Sequence, residues 1–311
     1  CSFSCWDLSV AYGATFRSMR MRRFGRSLIG RVLWRLPLEA HKKAVLTDAA
    51  SVVPEASVSS LSGPLISVLI PVFNAGEFIG NAITSVLQQP YENIELLVVD
   101  DCSSDDSVEI VERFADEDDR ILLIQLPTKS GAAFARNAAT KIAKGRYIAF
   151  LDSDDIWLPD KLEGQISALQ ETDAAVCFSS YYKLLEDGSR TGRLVYAESV
   201  VTYQMELRSN FIGLSTAMYD SEKCGKVFML DIQKHEDYSL WLKILGSGHT
   251  AVGLAQPLAY YRVRSNSLSS NKIKAAYYHW KVLRATAKPN LFYALYLFAH
   301  YAWHGLQKRK I

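Results

Sequence analysis

From residue 65 onward, short apolar runs alternate with segments whose apolar residues recur every three to four positions. Residues 66–72, ISVLIPV, form a β-branched run closing at Pro71, the pattern of a strand covered on both faces. Residues 77–88 place Phe78, Ile79, Ala82, Ile83, Val86 and Leu87 on a helical period. A second apolar run, 94–99, ends in Asp100-Asp101, and 104–114 reads as a helix capped by Ser103 or Ser104. A third strand at 121–125, an alanine-rich helix at 131–143, a fourth strand at 147–151, a helix at 158–170 and a fifth strand at 174–179 follow. This alternation predicts an α/β fold: a mostly parallel central sheet with helices on both faces.

Beyond residue 180 the period is less regular. Residues 181–185 and 193–200 read as strands joined through the turn sequence Glu186-Asp187-Gly188-Ser189. A short helix is expected at 202–210 and a strand at 215–219. Residues 234–245 form the strongest later helix, with Tyr238, Trp241, Leu242 and Leu245 on one side. Residues 250–254 and 258–263 read as two extended segments, followed by a polar loop over 262–271.

Charge separates the two ends from this middle. Residues 17–35 carry seven arginines and no acid, and 1–63 reads as a basic arm and linker ending at Ser62-Gly63-Pro64. The last segment, 271–311, contains the apolar and aromatic stretch NLFYALYLFAHYAWHGL, flanked by Lys288 and by Lys308-Arg309-Lys310. It fits a helix lying at an anionic membrane surface, the alternative being a helix packed on the domain itself. The expected organisation is thus arm and linker 1–63, an α/β domain 64–270, and a C-terminal helical membrane-associating segment 271–311. With 35 basic against 33 acidic residues, no global charge argues for nucleic acid. Five cysteines without a CxxC pair argue against a disulfide scaffold or zinc site and point to a reducing compartment.

Candidate chemistry concentrates where strands end. In YIAFLDSDDIWL an apolar run meets Asp152, Asp154 and Asp155. Clustered carboxylates after a buried strand need a cation, and hard oxygens suit Mg2+ or Mn2+. Taken alone, the same residues could cap the next helix. Phe73-Asn74 and Asp100-Asp101 also follow strands, and parallel sheets bind ligands beyond their carboxyl ends, so convergence favours a cation with a polar ligand.

Six motifs in order, SVLIPVFNAGEFI, ELLVVDDCSSDDS, GAAFARNAA, GRYIAFLDSDDIWLPDKL, HEDYSLWL and YYRVRSNSLSS, resemble family 2 glycosyltransferases of the bacterial polysaccharide-assembly branch. The resemblance covers about 64–270 and implies the GT-A nucleotide-diphospho-sugar transferase fold. It implies inverting transfer from a nucleoside-diphosphate sugar, a UDP-sugar first, to a saccharide or lipid-linked saccharide, with Mg2+ or Mn2+. By resemblance, Asp154 is the main metal ligand, with Asp152 at the metal or ribose. Pro71, Phe73, Asp101, Arg136, Asp152, Ser153 and Arg264 fall to nucleotide-sugar binding. Asp155 becomes an N-cap or a partner behind the metal ligands. Asp237 is assigned as general base, its pKa raised by crowding beside Glu236, which orients the acceptor. Arg264 stands where members of the family often carry a metal-ligating His, and it could clamp the diphosphate instead. Arg136 reads equally as a structural partner of an acid. The expected location is cytoplasmic, at the inner face of a bacterial plasma membrane. The alternatives are a retaining transferase on the same fold or a non-catalytic nucleotide-sugar-binding subunit.

Overall fold

The computed structural model describes residues 20–21, 63–263 and 272–307. Most of the basic arm, and Arg264 with the loop after it, lie outside the described residues. Strands β1 (Arg20–Met21), β2 (Ile66–Val72), β3 (Ile94–Asp100), β4 (Ile121–Gln125), β5 (Tyr147–Phe150), β6 (Ile156–Trp157), β7 (Val176–Leu184), β8 (Arg190–Val195), β9 (Val200–Val201), β10 (Met218–Asp220) and β11 (Ala251–Arg262) belong to one sheet. Its path runs β1-β4-β3-β2-β5-β10-β7-β11-β6, with β8 beside β7 and β9 beside β11. Strands β4, β3, β2 and β5 are mutually parallel, as are β7 and β11.

Alternate residues of these strands feed two cores. On one face Val68, Ile70, Leu96 and Val98 pack with α1 (Gly76–Leu87), α2 (Ser107–Glu117) and α4 (Lys161–Glu171). On the other, Leu69, Leu97, Val99 and Phe150 meet α3 (Ala132–Ile142) and α7 (Glu236–Gly246), whose Trp241 is fully buried. Two short helices, α5 (Tyr203–Glu206) and α6 (Ser221–Cys224), lie in the connections. Helices α8 (Lys272–Thr286) and α9 (Leu291–Gln307) contribute Val282, Leu283 and Leu297 to a third cluster against Tyr238 and Leu242 of α7.

Several boundaries differ from the sequence reading. Pro71 does not close β2: it sits inside the strand opposite Val99, and the strand runs on to Val72. Helix α2 starts at Ser107 rather than 104, because Ser103 and Ser104 are drawn into loop contacts with Asn74. The expected fifth strand and its successor are one long β7. The two segments expected at 250–254 and 258–263 are likewise one strand, β11, irregular around Pro257, which has no N–H for the ladder. The largest difference is β10. It runs antiparallel between β5 and β7, so its amino end lies at the edge where its parallel neighbours end.

Close approach fixes one glycine. The N–H of Gly145 donates to Ser67 Oγ (2.8 Å), and that hydroxyl donates to Glu95. A Cβ at position 145 would stand 2.5 Å from the Ser67 amide and 2.8 Å from the Leu65 carbonyl. Gly145→Ala therefore forces the start of β5 off β2, an overpacking cost of roughly 1–3 kcal/mol. The melting temperature followed by circular dichroism should fall by roughly 3–10 °C; an unchanged midpoint would show that this junction yields freely.

Candidate active site

Beyond the carboxyl end of β5 the chain turns sharply through Asp152–Asp155, with the Asp155 N–H donating to the Asp152 carbonyl (3.0 Å). Two neighbours hold this turn. Ser215, brought to the edge by the reversed β10, accepts from the Asp152 amide through Oγ (3.1 Å) and from Trp157 Nε1 through its carbonyl (2.7 Å). Arg262, at the end of β11, donates its amide to Asp155 Oδ1 (2.8 Å) and its Nε to the Asp154 carbonyl (2.9 Å). Its guanidinium also lies against the Phe78 ring and donates to Glu186 O (3.0 Å).

Asp155 is sealed, and its Oδ2 has no hydrogen-bond partner. Burial first, then the charges of Asp152 and Asp154, pushes its carboxyl well above the usual range. It does not cap α4, whose N-cap is Asp160 in a left-handed conformation. The N-cap role allowed for Asp155 is thereby corrected: the side chain turns inward and braces the turn.

A cavity of about 770 Å³ opens beside this turn. From the first half of the chain only Arg136 and neighbouring Ala132, with Asp152, Asp154 and Asp155, line it; the rest of the lining comes from residues 178–262. Glu236 and Asp237 line it too, from the first turn of α7. Arg136, 5% exposed, bridges the two acidic segments: Nη2 donates to Asp152 Oδ1 and Nη1 to Glu236 Oε1 (2.9 Å). Burial opposes its charge, but Asp152 and Glu236 outweigh that and raise its pKa. Burial lifts the Glu236 carboxyl above its ordinary value, with Arg136 opposing and the Asp237 charge adding. Asp237 Oδ2 accepts from Asn210 Nδ2 (2.9 Å). The residue before them, His235, takes a left-handed conformation (φ 61°) to enter the helix.

The other anticipated residues sit along the same edge but outside that cavity. Phe73 is 40% exposed, with Lys129 Nζ 3.5 Å from its ring centre. Asn74 Oδ1 accepts from the Ser104 amide (2.8 Å), joining the loops after β2 and β3. Asp101 is buried, its two oxygens accepting from the amides of Ser130 and Gly131; Gly131 adopts φ 93°, which suits glycine. Pro71 lies within β2, and Ser153 is half-buried in the acidic turn. Sequence reasoning missed Asn210 and Ser215, which carry no local motif. It passed over Arg262 in favour of Arg264, although both stand in YYRVRSNSLSS.

The acidic turn fits a divalent ion: three carboxylates crowd there, and a sealed oxygen of Asp155 has no partner. Among the described residues no group of three or more His, Cys, Asp or Glu side chains is arranged to hold a metal by itself. An ion on Asp152 and Asp154 would complete its shell from elsewhere. Beside the first turn of α7, His279 is buried between Tyr301 (ring centres 3.8 Å) and Tyr238 (4.7 Å), and burial lowers its pKa to about 3. No helix among the described residues is long and apolar enough to cross a membrane. Helix α9 leaves Leu291, Phe292, Leu295 and Tyr296 exposed.

Comparison with known proteins places these features. The model of the family "Glycosyl transferase family 2" matches residues 67–223. The chain is 40% identical over 246 residues to the putative teichuronic acid biosynthesis glycosyltransferase TuaG of Bacillus subtilis, covering 79% of this chain and 98% of TuaG. It is 38% identical over 245 residues to the UDP-Glc:alpha-D-GlcNAc-diphosphoundecaprenol beta-1,3-glucosyltransferase WfgD of Escherichia coli, covering 78% and 94%. Among solved structures, S. aureus TarS 1-349 in complex with UDP-GlcNAc superposes with a TM-score of 0.59 at 23% identity, over 71% of this chain and 65% of that one. Mannosyltransferase PcManGT from Pyrobaculum calidifontis, in complex with GDP-Man and Mn2+, gives 0.57 at 18% identity, over 73% and 65%. These two share the GT-A fold. A family match across half of the chain, and kinship to TuaG along nearly all of that protein, make this chain an enzyme of glycosyltransferase family 2.

Proposed function

We propose that the chain is a metal-dependent, inverting glycosyltransferase that moves a sugar from a UDP-sugar to a lipid-linked or growing saccharide. The observation that carries this reading is the Arg136 bridge, which sets Asp152 and Glu236 on one cavity although they are 84 positions apart in the sequence. UDP as the nucleotide draws support from the UDP-GlcNAc held by TarS and the UDP-Glc named for WfgD. A lipid-linked acceptor draws it from the diphosphoundecaprenol substrate in WfgD's name, and a metal from the Mn2+ beside GDP-Man in PcManGT.

Each residue then has a task. Asp154 and Asp152 hold a Mg2+ or Mn2+, which when bound neutralises the departing diphosphate. Asp155, Ser215 and Arg262 fix the turn that presents them. Phe73 and Asp101 receive the base, and Pro71 and Ser153 shape the nucleotide's path. Arg136 shields the diphosphate and keeps Glu236 in place, and Arg264 takes a second clamp on the phosphates. Asp237 accepts the proton of the attacking hydroxyl, with Asn210 fixing its Oδ2 and leaving Oδ1 for that hydroxyl. Attack from the side opposite the leaving group inverts the anomeric centre. Helix α9 lies on the anionic inner face of the membrane, with Leu291, Phe292, Leu295 and Tyr296 exposed and the exposed cations Lys281, Arg284 and Lys288 in the segment before it.

Two variants test the chemistry. Asp154→Ala should lose Mn2+-dependent UDP binding in calorimetry and UDP release from a panel of UDP-sugars. Asp237→Asn should bind UDP like the parent chain yet lose transfer by about 10²–10⁴-fold, the usual weight of a general base. Parent-like transfer by Asp237→Asn removes the base assignment.

Asp155→Asn probes the braced turn through stability. A carboxyl whose folded pKa is raised binds its proton more tightly in the fold, so it opposes folding above its unfolded value, about 3.9. In EDTA, Asp155→Asn should melt higher than the parent chain at pH 7, with the gap closing as pH falls toward 4. A gap that widens in acid contradicts the assignment.

For the membrane, the doubly charged variant Phe292→Glu/Leu295→Glu should stay at the bottom of a flotation gradient with anionic vesicles while the parent chain floats. Equal behaviour of the two sinks the docking face.

A further inference from the structure

Resting on the transferase reading above, one side chain in the cavity has no role in donor binding or base catalysis. Lys234 is 8% exposed, lines the cavity, and stands two residues before Glu236. Other buried or half-buried cations nearby are engaged. Arg136 spans Asp152 and Glu236, Arg262 is tied to Asp155 and three carbonyls, Lys161 donates to Gln165 Oε1, and Lys243 donates to Phe228 O. Among the described residues no carboxylate, carbonyl or hydroxyl lies within hydrogen-bond or ion-pair distance of the Lys234 ammonium. Neither is that nitrogen sealed away from solvent.

A lysine so nearly buried is rare without a partner, because desolvating an ammonium is costly. A contact partner supplied by a ligand removes the cost altogether. The location decides which ligand. Gln233 is occupied by Tyr278 (2.9 Å), and Lys234 shares its wall with Glu236 and Asp237 rather than with the loops bearing Phe73 and Asp101. That wall faces the attacking substrate.

We propose that Lys234 is an anion-recognising residue of the acceptor subsite. It donates a charge-assisted hydrogen bond to an oxyanion on the acceptor saccharide. Two sources carry that chemistry: the carboxylate of a uronic acid, or a phosphate oxygen of the diphosphate joining a sugar to its lipid. Tyr196 and Tyr261, which line the same cavity and are 75% and 36% exposed, offer flat faces for the sugar ring bearing it.

The test is binding of three small probes to the full chain: methyl β-D-glucuronide, methyl diphosphate and the neutral methyl β-D-glucoside, titrated by ligand-observed NMR with UDP and Mn2+ present. The parent chain should bind one of the two anionic probes at least about tenfold more tightly than the glucoside, the worth of one charge-assisted hydrogen bond. Glucuronide preference identifies a uronate, and diphosphate preference identifies the lipid linkage. Lys234→Gln should abolish the preference and Lys234→Arg should keep it. Thermal unfolding controls for the fold: Lys234→Gln removes no hydrogen bond or ion pair within the chain and should melt no lower than the parent. Equal binding of all three probes, no binding of either anion, or a preference surviving in Lys234→Gln overturns the proposal. Failure of the parent chain to bind UDP in the same tube would instead count against the donor reading.

Discussion

One guanidinium holds the two acidic segments of this enzyme together. Arg136 comes from α3, Asp152 from the end of β5 and Glu236 from the start of α7, and no stretch of backbone places the last two side by side. Without the cation, carboxylates from both segments would repel across a partly dry cavity, and breaking such a buried pair typically costs roughly 3–5 kcal/mol. The rest of the site is arranged around that fixed charge. Asp152 is tied to Arg136 and also held through its amide by Ser215, so the acidic turn has little freedom to splay. Glu236 is pinned at the first turn of α7, which sets Asp237 one residue further round the helix, against Asn210.

The reversed strand β10 is what makes this arrangement possible. In a wholly parallel sheet every strand would deliver its carboxyl end to the ligand edge and its amino end to the opposite one. Because β10 runs backward, the segment entering it arrives at the ligand edge, bringing Ser215 under the acidic turn. The hydrophobic pattern could predict neither its direction nor its place: three residues of apolar strand look the same running either way. The pattern did determine the two-faced core, since alternate residues such as Val68 and Leu69 must enter opposite layers once both faces are covered. It also located the strand ends, where apolar runs break at Asp100 and Asp152. Side-chain partnerships between distant segments were beyond it. Asn210 and Ser215 have no motif of their own, and Arg262, though inside YYRVRSNSLSS, takes its role, like theirs, from where the sheet delivers it.

The C-terminal helices extend the same logic to the back of α7. Tyr238 and Leu242, on the far side of α7 from the cavity, are covered by Val282, Leu283 and Leu297. His279 lies flat between Tyr238 and Tyr301, kept neutral by burial. One side of α9 thus completes the packing of the helix that carries Glu236 and Asp237, while Phe292 on its other side is 86% exposed.

Charge balance explains why a cavity this acidic is tolerable before any substrate arrives. Six carboxylates line it, and two arginines are already committed among them or to nearby carbonyls. A divalent ion on the acidic turn would relieve one end, where Asp155 carries the strain of an uncompensated oxygen. The other end has Lys234, whose ammonium touches none of the acids. In the sequence Lys234 reads as the first residue of the helix expected over 234–245; the helix starts at Glu236, and the burial of Lys234 becomes evident only in the folded cavity wall. The acidic turn therefore carries excess negative charge, and the wall that bears Glu236 and Asp237 also holds one cation, Lys234, that pairs with neither of them. A substrate pair with its phosphates at the metal end and an anionic group on the attacking sugar would neutralise both ends at once, and a neutral acceptor would leave the second one bare.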